Sequence, residues 1–256
     1  MKIKNTLIFF VLFLAFIGCS KDDVNNPGGI DKSANLKALG FSANELISDE
    51  KFTSLRIEVV YVTGFQPTQT TLDNLKTFLE NTTHKPDGIS MSTRAVPSSN
   101  KAPFNINEIA QIEADERTVF NAGDEIAVFI YFADGSNEND TDTKTVLGTS
   151  FRNTSMVIYG KTIQFLVNHT NNLERSTVES TVINHEFGHL FGLVDMGSPM
   201  QTDHQDAESN GHCNVTGCLM AASFQFGGSM MNVIDNNTIP VLDDLCTGDL
   251  QANGGR

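Results

Sequence analysis

Apolar and polar residues follow two different periods along most of the chain. Residues 54–63, SLRIEVVYVT, are rich in β-branched residues and predict a strand, whereas leucine and phenylalanine recur at helical spacing in 70–81. The pattern then repeats, with a strand predicted over 88–96, a helix over 105–120 and a strongly apolar strand over 124–133. Because strands alternate with amphipathic helices, the pattern favours a mainly parallel sheet covered by helices.

Two short strands are predicted next, TVLGTSF (145–151) and SMVIYG (155–160), and a long helix follows them. Ser176 and Glu179 have the spacing of a capping box at the start of this helix. A stripe at helical spacing then runs through Val178, Val182, His185 and His189. This spacing predicts that both histidines lie on the face of the helix that is directed at the core.

The first 18 residues differ from the rest, because two lysines precede the apolar run LIFFVLFLAFI. Such a segment is typical of a secretory signal and is too short for a spanning helix. It ends in FIGC, which resembles the lipobox of bacterial lipoproteins and implies that Cys19 is acylated; an ordinary cleaved signal is the alternative. Residues 19–35 then form a flexible tether and 36–256 a single folded domain. The resemblance implies a lipoprotein of the bacterial cell envelope, in the outer membrane or at the cell surface.

The formal charge of the chain is −14 at pH 7. A surface of this sign repels nucleic acid and anionic lipid headgroups, and we find no cluster of lysine and arginine that would offset it. We therefore expect no nucleic-acid partner, and contact with the membrane only through the N-terminal lipid. No pattern indicates an oligomeric state.

The predicted long helix carries the candidate chemistry. In His185-Glu186-x-x-His189 the two imidazoles lie one turn apart on the same face, so both can bind one Zn²⁺ ion. Glu186 is turned away from the ligand positions and lies where it can take a proton from a water molecule at the metal. A core helix whose histidines are satisfied by hydrogen bonds is the alternative interpretation.

The motif continues to Gly192 and Asp195, giving HExxHxxGxxD, and a second segment, GHCNVTGCLM, follows at 211–220. At this point the sequence resembles the metzincin zinc metalloproteases, of the snapalysin-like branch in its terminal aspartate and of the archaemetzincins in HCx4CxM. The resemblance implies an α+β zincin fold. A twisted, mostly parallel mixed sheet with helices would form an upper lobe to about 195, with the active-site helix at its floor, and 196–256 would form a small irregular lobe. Met220 would then be the methionine of the turn beneath the metal.

The third metal ligand stays open at this stage. Asp195 has the spacing of a ligand and offers a hard oxygen donor, whereas His204 would preserve a three-histidine site. In archaemetzincins the third histidine directly precedes the cysteines, but here sixteen residues separate Asp195 from His212. We favour Asp195 and His204 equally, ahead of Glu208 and His212.

Three cysteines remain if Cys19 is acylated, namely Cys213, Cys218 and Cys246. An oxidising compartment favours a disulfide between two of them. The resemblance to archaemetzincins implies instead a second, structural zinc, with Asp249 in the place of a fourth cysteine. We favour the disulfide slightly, because the predicted location is oxidising and because the carboxylate of Asp249 is a poorer zinc ligand than a thiolate.

These patterns predict a zinc-dependent endopeptidase that hydrolyses peptide bonds, with Glu186 as general base and acid and peptides or proteins as substrates. By resemblance, an edge strand formed by SMVIYG would pair with the substrate. A lipoprotein binding module with a structural zinc is the alternative, since no tyrosine follows Met220 to assist at the metal. Replacing Glu186 with glutamine distinguishes the two, because only an enzyme needs the carboxylate.

Overall fold

The computed structural model describes residues 31–142, 144–170, 173–224 and 237–256. The predicted signal, Cys19 and the tether as far as residue 30 lie outside the described residues. Within them, no helix has both the length and the apolar character needed to cross a bilayer.

Five strands form one sheet in the order β2-β1-β3-β5-β4. Their bounds are β1 Ser54–Val62, β2 Gly88–Val96, β3 Glu125–Phe132, β4 Gly148–Arg152 and β5 Ser155–Ile158. The pairs β1–β2, β1–β3 and β3–β5 are parallel, and β4 pairs antiparallel with β5 at one edge. The prediction of a mostly parallel mixed sheet is therefore confirmed.

Six helices accompany the sheet in the described residues. Their bounds are α1 Ala43–Ile47, α2 Gln69–Thr82, α3 Ile106–Glu116, α4 Gly160–Asn168, α5 Arg175–Leu190 and α6 Asp244–Ala252. The capping box of α3 is complete, because Asn105 and Glu108 each accept a hydrogen bond from the other's backbone N–H. The α+β class predicted from the sequence is confirmed.

The core lies on both faces of the sheet. The larger apolar cluster joins α2 and α5 to one face, and a smaller one places Ile109 and Ile112 of α3 against the other. Every residue of α5 from Thr177 to Leu190 is buried, so this helix is covered on all sides. Polar side chains on α5 therefore need internal partners or a ligand.

Two local predictions were wrong. SMVIYG forms β5, which lies inside the sheet between β3 and β4, so β4 is the edge strand. Helix α5 has Glu174 at its N-cap, and no capping box joins Ser176 to Glu179. Glu179 instead accepts hydrogen bonds from the Thr68 N–H at 3.0 Å and the Thr71 hydroxyl at 2.7 Å, so its carboxylate supports the start of α2.

The part of the chain after α5 is irregular as far as residue 221. It consists of turns and one isolated bridge between Gln205 and Cys213, and a short 3-10 helix follows at Ala222–Phe224. Helix α6 then packs Cys246 and Leu250 into the larger core cluster.

Candidate metal centre and active site

Helix α5 presents both motif histidines at its C-terminal end. The Nε2 atoms of His185 and His189 lie 3.1 Å apart, and the rings meet edge to face. The Nδ1 atom of His185 lies 2.7 Å from the main-chain oxygen of Leu219, which fixes this ring and leaves Nε2 directed at its neighbour. The helical spacing of four residues thus brings two nitrogen ligands together, as the sequence predicts.

Both imidazoles are neutral at physiological pH. Burial lowers the pKa of His185 to about 3, and the nearby His212 acts in the same direction. Burial also lowers the pKa of His189 well below its usual value, with further contributions from His185 and His212. Neutral imidazoles keep the lone pairs that a metal ligand needs.

His212 is the third member of this group. Its ring centroid lies 5.3 Å from that of His185 and 5.1 Å from that of His189. The ligand atoms of the three histidines all lie within 4.8 Å of one another. The Nδ1 of His212 contacts the Asn210 main-chain oxygen at 3.1 Å and the Ser209 hydroxyl at 3.0 Å, so the ring is held from behind.

The preference for Asp195 or His204 as third ligand is corrected by this geometry. Asp195 is exposed in the turn after α5 and is not part of the histidine group. The Nε2 of His204 lies 3.3 Å from an oxygen of Asp249, and both side chains are buried. Glu208 is likewise outside the group and exposed. The inserted residues therefore form a loop that returns the chain to the site at His212, and only the tertiary path could decide this.

The three histidines fit a zinc ion. A tetrahedral zinc with Zn–N bonds of about 2.0–2.1 Å holds its nitrogen ligands roughly 3.3 Å apart. The observed 3.1 Å between the Nε2 atoms of His185 and His189 is close to that separation. The same distance also allows one Nε2–H to donate to the other Nε2, so the fit to zinc rests equally on the convergence of the third histidine on this pair.

Glu186 lies beside the histidines and contacts the edge strand. Its Oε2 accepts a 2.6 Å hydrogen bond from the Ser150 N–H, while its main-chain oxygen accepts one from the Ser150 hydroxyl at 2.8 Å. Its Oε1 is buried without a hydrogen-bond partner. Burial raises the pKa of Glu186 to about 7, although the bonds from Ser150 act against this rise. A carboxyl group that titrates near neutrality suits both proton uptake and proton release.

Gly148 allows this close approach of helix and strand. A Cβ at this position would lie 2.7 Å from Val182 Cγ1 and 2.9 Å from Glu186 Cγ. Any larger residue would therefore push α5 away from β4 or turn Glu186. Neither Gly148 nor Ser150 carries a sequence signal of its own, which is why both were missed.

Met220 packs directly against helix α5. It is fully buried, and a Cβ on Gly188 would be 3.0 Å from its Cε and nearer still to its Sδ. The backbone of Met220 is fixed on both sides, since its N–H contacts Cys218 Sγ and its carbonyl accepts from the Cys213 N–H at 2.8 Å. The structure thus packs Met220 against α5 at Gly188, directly before His189.

The three cysteines gather around Asp243 in a second group. All are free thiols, and the ligand atoms of Cys213, Cys218, Asp243 and Cys246 lie within 4.8 Å of one another. The Sγ atoms of Cys218 and Cys246 are 3.6 Å apart, which matches the roughly 3.7 Å between thiolates on a tetrahedral zinc with Zn–S bonds of about 2.3 Å. The hydrogen bond from Cys246 lowers the pKa of Cys218, whereas the bond to Cys218 and burial raise that of Cys246.

Two cysteine predictions need correction. The structure contains no disulfide among these cysteines, and a metal accounts for the four converging ligand atoms better than a disulfide does. The fourth member is Asp243 at the N-cap of α6, and Asp249 faces His204 instead. Since Cys213 directly follows His212, this second group also fixes the segment that delivers the third histidine.

A cavity of about 320 Å³ opens beside the histidines. Its lining comprises Leu39, Ser150, Glu186, His189, Met196 and residues 209–212. The structure therefore joins a candidate metal centre, a carboxyl group and a cavity large enough for a side chain or a short stretch of backbone. No protein-family model matches the chain, and no curated protein is significantly similar to it.

Proposed function

We propose that this chain is a zinc-dependent endopeptidase that acts at the bacterial cell envelope. The observation that carries the proposal is the convergence of His185, His189 and His212 next to a cavity that His189, His212 and Glu186 line, with the Oε1 of Glu186 buried without a hydrogen-bond partner. Buried carboxyl groups without partners are costly, and a structural metal site gains nothing from one. The location rests on the predicted signal and on Cys19.

His185, His189 and His212 would hold the zinc. When bound, zinc supplies Lewis acidity toward a carbonyl oxygen and lowers the pKa of water. Glu186 takes up a proton through its unpartnered Oε1 and later returns it to the leaving amine, because its pKa near 7 allows both steps at neutral pH. The Ser150 N–H keeps the other oxygen of Glu186 in place throughout.

The free edge of β4 is the proposed binding site for the peptide. The Ser150 N–H points away from β5, since it donates to Glu186, so this side of β4 is not paired within the sheet. An extended peptide can add to such an edge through main-chain hydrogen bonds to outward-facing groups of β4 other than the Ser150 N–H, which stays bonded to Glu186, and these bonds are independent of the peptide's sequence. The reacting carbonyl would then lie close to Glu186.

The cysteine group and Asp243 would hold a second zinc of structural function. This group contacts no part of the cavity directly, but it fixes Cys213 and hence His212. Thiolates bind zinc strongly, so a second metal would stabilise the irregular part of the chain, which has little regular secondary structure.

The decisive experiment combines peptide cleavage with zinc analysis on the full chain and three variants. Glu186→Gln should abolish cleavage yet retain zinc, whereas His212→Ala should lose one zinc and all cleavage. Asp195→Asn is the matched control, because this exposed carboxylate lies outside the group, and it should keep both zinc and activity. Zinc bound by the parent without any cleavage would favour the binding-module alternative, and no zinc in the folded parent would refute the metal centre.

A further inference from the structure

Residues 34–42 form a strap, named here the N-terminal strap, that begins at the turn between β4 and β5. Asn153 in that turn donates its backbone N–H to the Lys37 oxygen at 3.1 Å and accepts from the Lys37 N–H at 3.0 Å. The Asn153 amide also donates to the Ala34 oxygen and the Ser42 hydroxyl, each at 2.8 Å. One buried side chain thus fastens both ends of the strap.

Asn35 anchors the strap more deeply. It is completely buried, and its amide donates to Thr154 Oγ1 and to the Ala127 oxygen, both at 3.0 Å. Its own Oδ1 accepts from the Asn121 N–H at 2.9 Å. Because every one of these partners is inside the folded domain, the strap is part of the domain and not an extension of the tether.

The strap then passes to the opposite wall of the cavity. Gly40 packs so closely on the turn after α5 that a Cβ there would overlap the Met196 main-chain oxygen. Gly40 and Gly197 both have positive φ, at 79° and 144°, so this contact needs glycine on each side. Between its two attachments, the strap places Leu39 in the lining of the cavity beside Ser150 and Glu186.

We infer that the N-terminal strap closes one end of the peptide-binding edge, so that a substrate is cleaved within about three residues of one of its chain ends. This inference rests on the proposed function and narrows it from any internal peptide bond to internal bonds close to one end of the substrate. At roughly 3.3 Å per residue, Asn153 lies about 10 Å along the chain from Ser150. There the N–H of Asn153 is already bonded to Lys37, so a peptide following β4 meets the strap and must end or turn away.

The strap also favours particular side chains at the substrate position that lies beside it. Leu39 and Met196 line the same cavity, and a Cβ on Gly211 would lie 3.2 Å from Met196 Sδ and 3.8 Å from His189 Cε1, so both side chains pack around Gly211. Together Leu39 and Met196 form an apolar wall, which favours an aliphatic or aromatic residue in the substrate over a charged one. The substrate class is therefore a peptide with an apolar residue close to one terminus.

Two peptide ladders built on one cleaved sequence test this inference with the zinc-loaded full chain. One ladder lengthens the N-terminal side of the scissile bond from about one to six residues, and the other lengthens the C-terminal side over the same span. We expect kcat/KM to fall by about tenfold or more in one ladder once the extension exceeds about three residues. In the other ladder, kcat/KM should not fall as the peptide is lengthened. Leu39→Ala and Asn153→Ala should each reduce that fall.

Leu36→Ala is the matched control, because Leu36 lies on the same strap but is 44% exposed and does not line the cavity. It should leave the length dependence unchanged. Thermal unfolding of each variant checks that the domain is intact, and Leu39 is only half-buried, so its truncation should be tolerated. The inference is overturned if kcat/KM is equal across both ladders, or if Leu39→Ala and Leu36→Ala show the same dependence of kcat/KM on peptide length. Either result leaves the endopeptidase proposal standing. If the parent protein, assayed alongside Glu186→Gln, cleaves no peptide, then both this inference and the endopeptidase proposal are overturned.

Discussion

The packing of Gly188 on Met220 allows a prediction that does not depend on the enzymatic function. Gly188 is in the middle of the motif on α5, and replacing it with alanine should add about 1 kcal/mol of helix propensity to folding stability. The new Cβ would, however, lie 3.0 Å from Met220 Cε and nearer to Sδ, whereas ordinary carbon contacts begin at about 3.5 Å. Overpacking of this kind costs roughly 1–3 kcal/mol, so Gly188→Ala should destabilise the domain on balance.

Gly248→Ala provides the reference for the propensity effect. Gly248 lies within α6, and a Cβ at this position meets nothing within 4 Å. This variant should therefore gain up to about 1 kcal/mol. The difference between the two alanine variants, about 1–3 kcal/mol, measures the overlap with Met220.

Urea denaturation of the chelator-treated protein is the assay, with the parent and both variants compared under the same metal-free conditions. A Gly188→Ala variant as stable as Gly248→Ala would refute the packing of Met220 on the helix. The displacement of Met220 should also reach the metal centre, since the neighbouring Leu219 oxygen holds Nδ1 of His185. Loss of such a partner typically lowers metal affinity by about 10–100-fold, which competition with a zinc chelator measures.

Three further predictions concern the buried polar groups. His204→Ala should lower the free energy of unfolding by roughly 1–3 kcal/mol, because the buried Oδ2 of Asp249 loses the imidazole 3.3 Å away while Oδ1 keeps only the Gln201 N–H. Zinc content should not change, and loss of zinc would instead identify His204 as a ligand. In the metal-free protein, the pKa of His185 is about 3, so the free energy of unfolding decreases as the pH drops below about 6.5. The pKa of Glu186 is about 7, so its contribution to the free energy of unfolding increases as the pH drops over the same range. Chelator-treated Glu186→Gln should therefore lose about 2 kcal/mol or more between about pH 7 and pH 5 in urea titrations, because the lowered pKa of His189 acts in the same direction as that of His185, and the parent should change less; equal pH slopes would contradict these pKa shifts. Ser150→Pro removes both the outward-facing N–H and the hydroxyl that bond Glu186, and it should reduce kcat by about tenfold or more. Ser150→Ala removes the hydroxyl alone and should keep most of the activity; equal kcat values for the two would exclude the N–H as a support of Glu186.

The local elements of this protein follow from its sequence because each depends on neighbours a few residues away. The period of the apolar residues predicts β1, β2, β3, α2 and α3, and the spacing of four residues predicts that His185 and His189 share one helix face. The same reasoning locates Glu186 beside them. These features need no knowledge of how distant segments meet, since the geometry of a helix or a strand already fixes them.

The tertiary structure alone decided which distant residues complete the site. The path of the inserted loop determines that His212 joins the histidines while His204 pairs with Asp249, and no local period encodes such a path. Strand order made β4 the edge, which brought Ser150 to Glu186. The start of α6 placed Asp243 among the cysteines. Each of these contacts joins residues that lie far apart in the chain, where the free energy of the whole packed domain selects the partner.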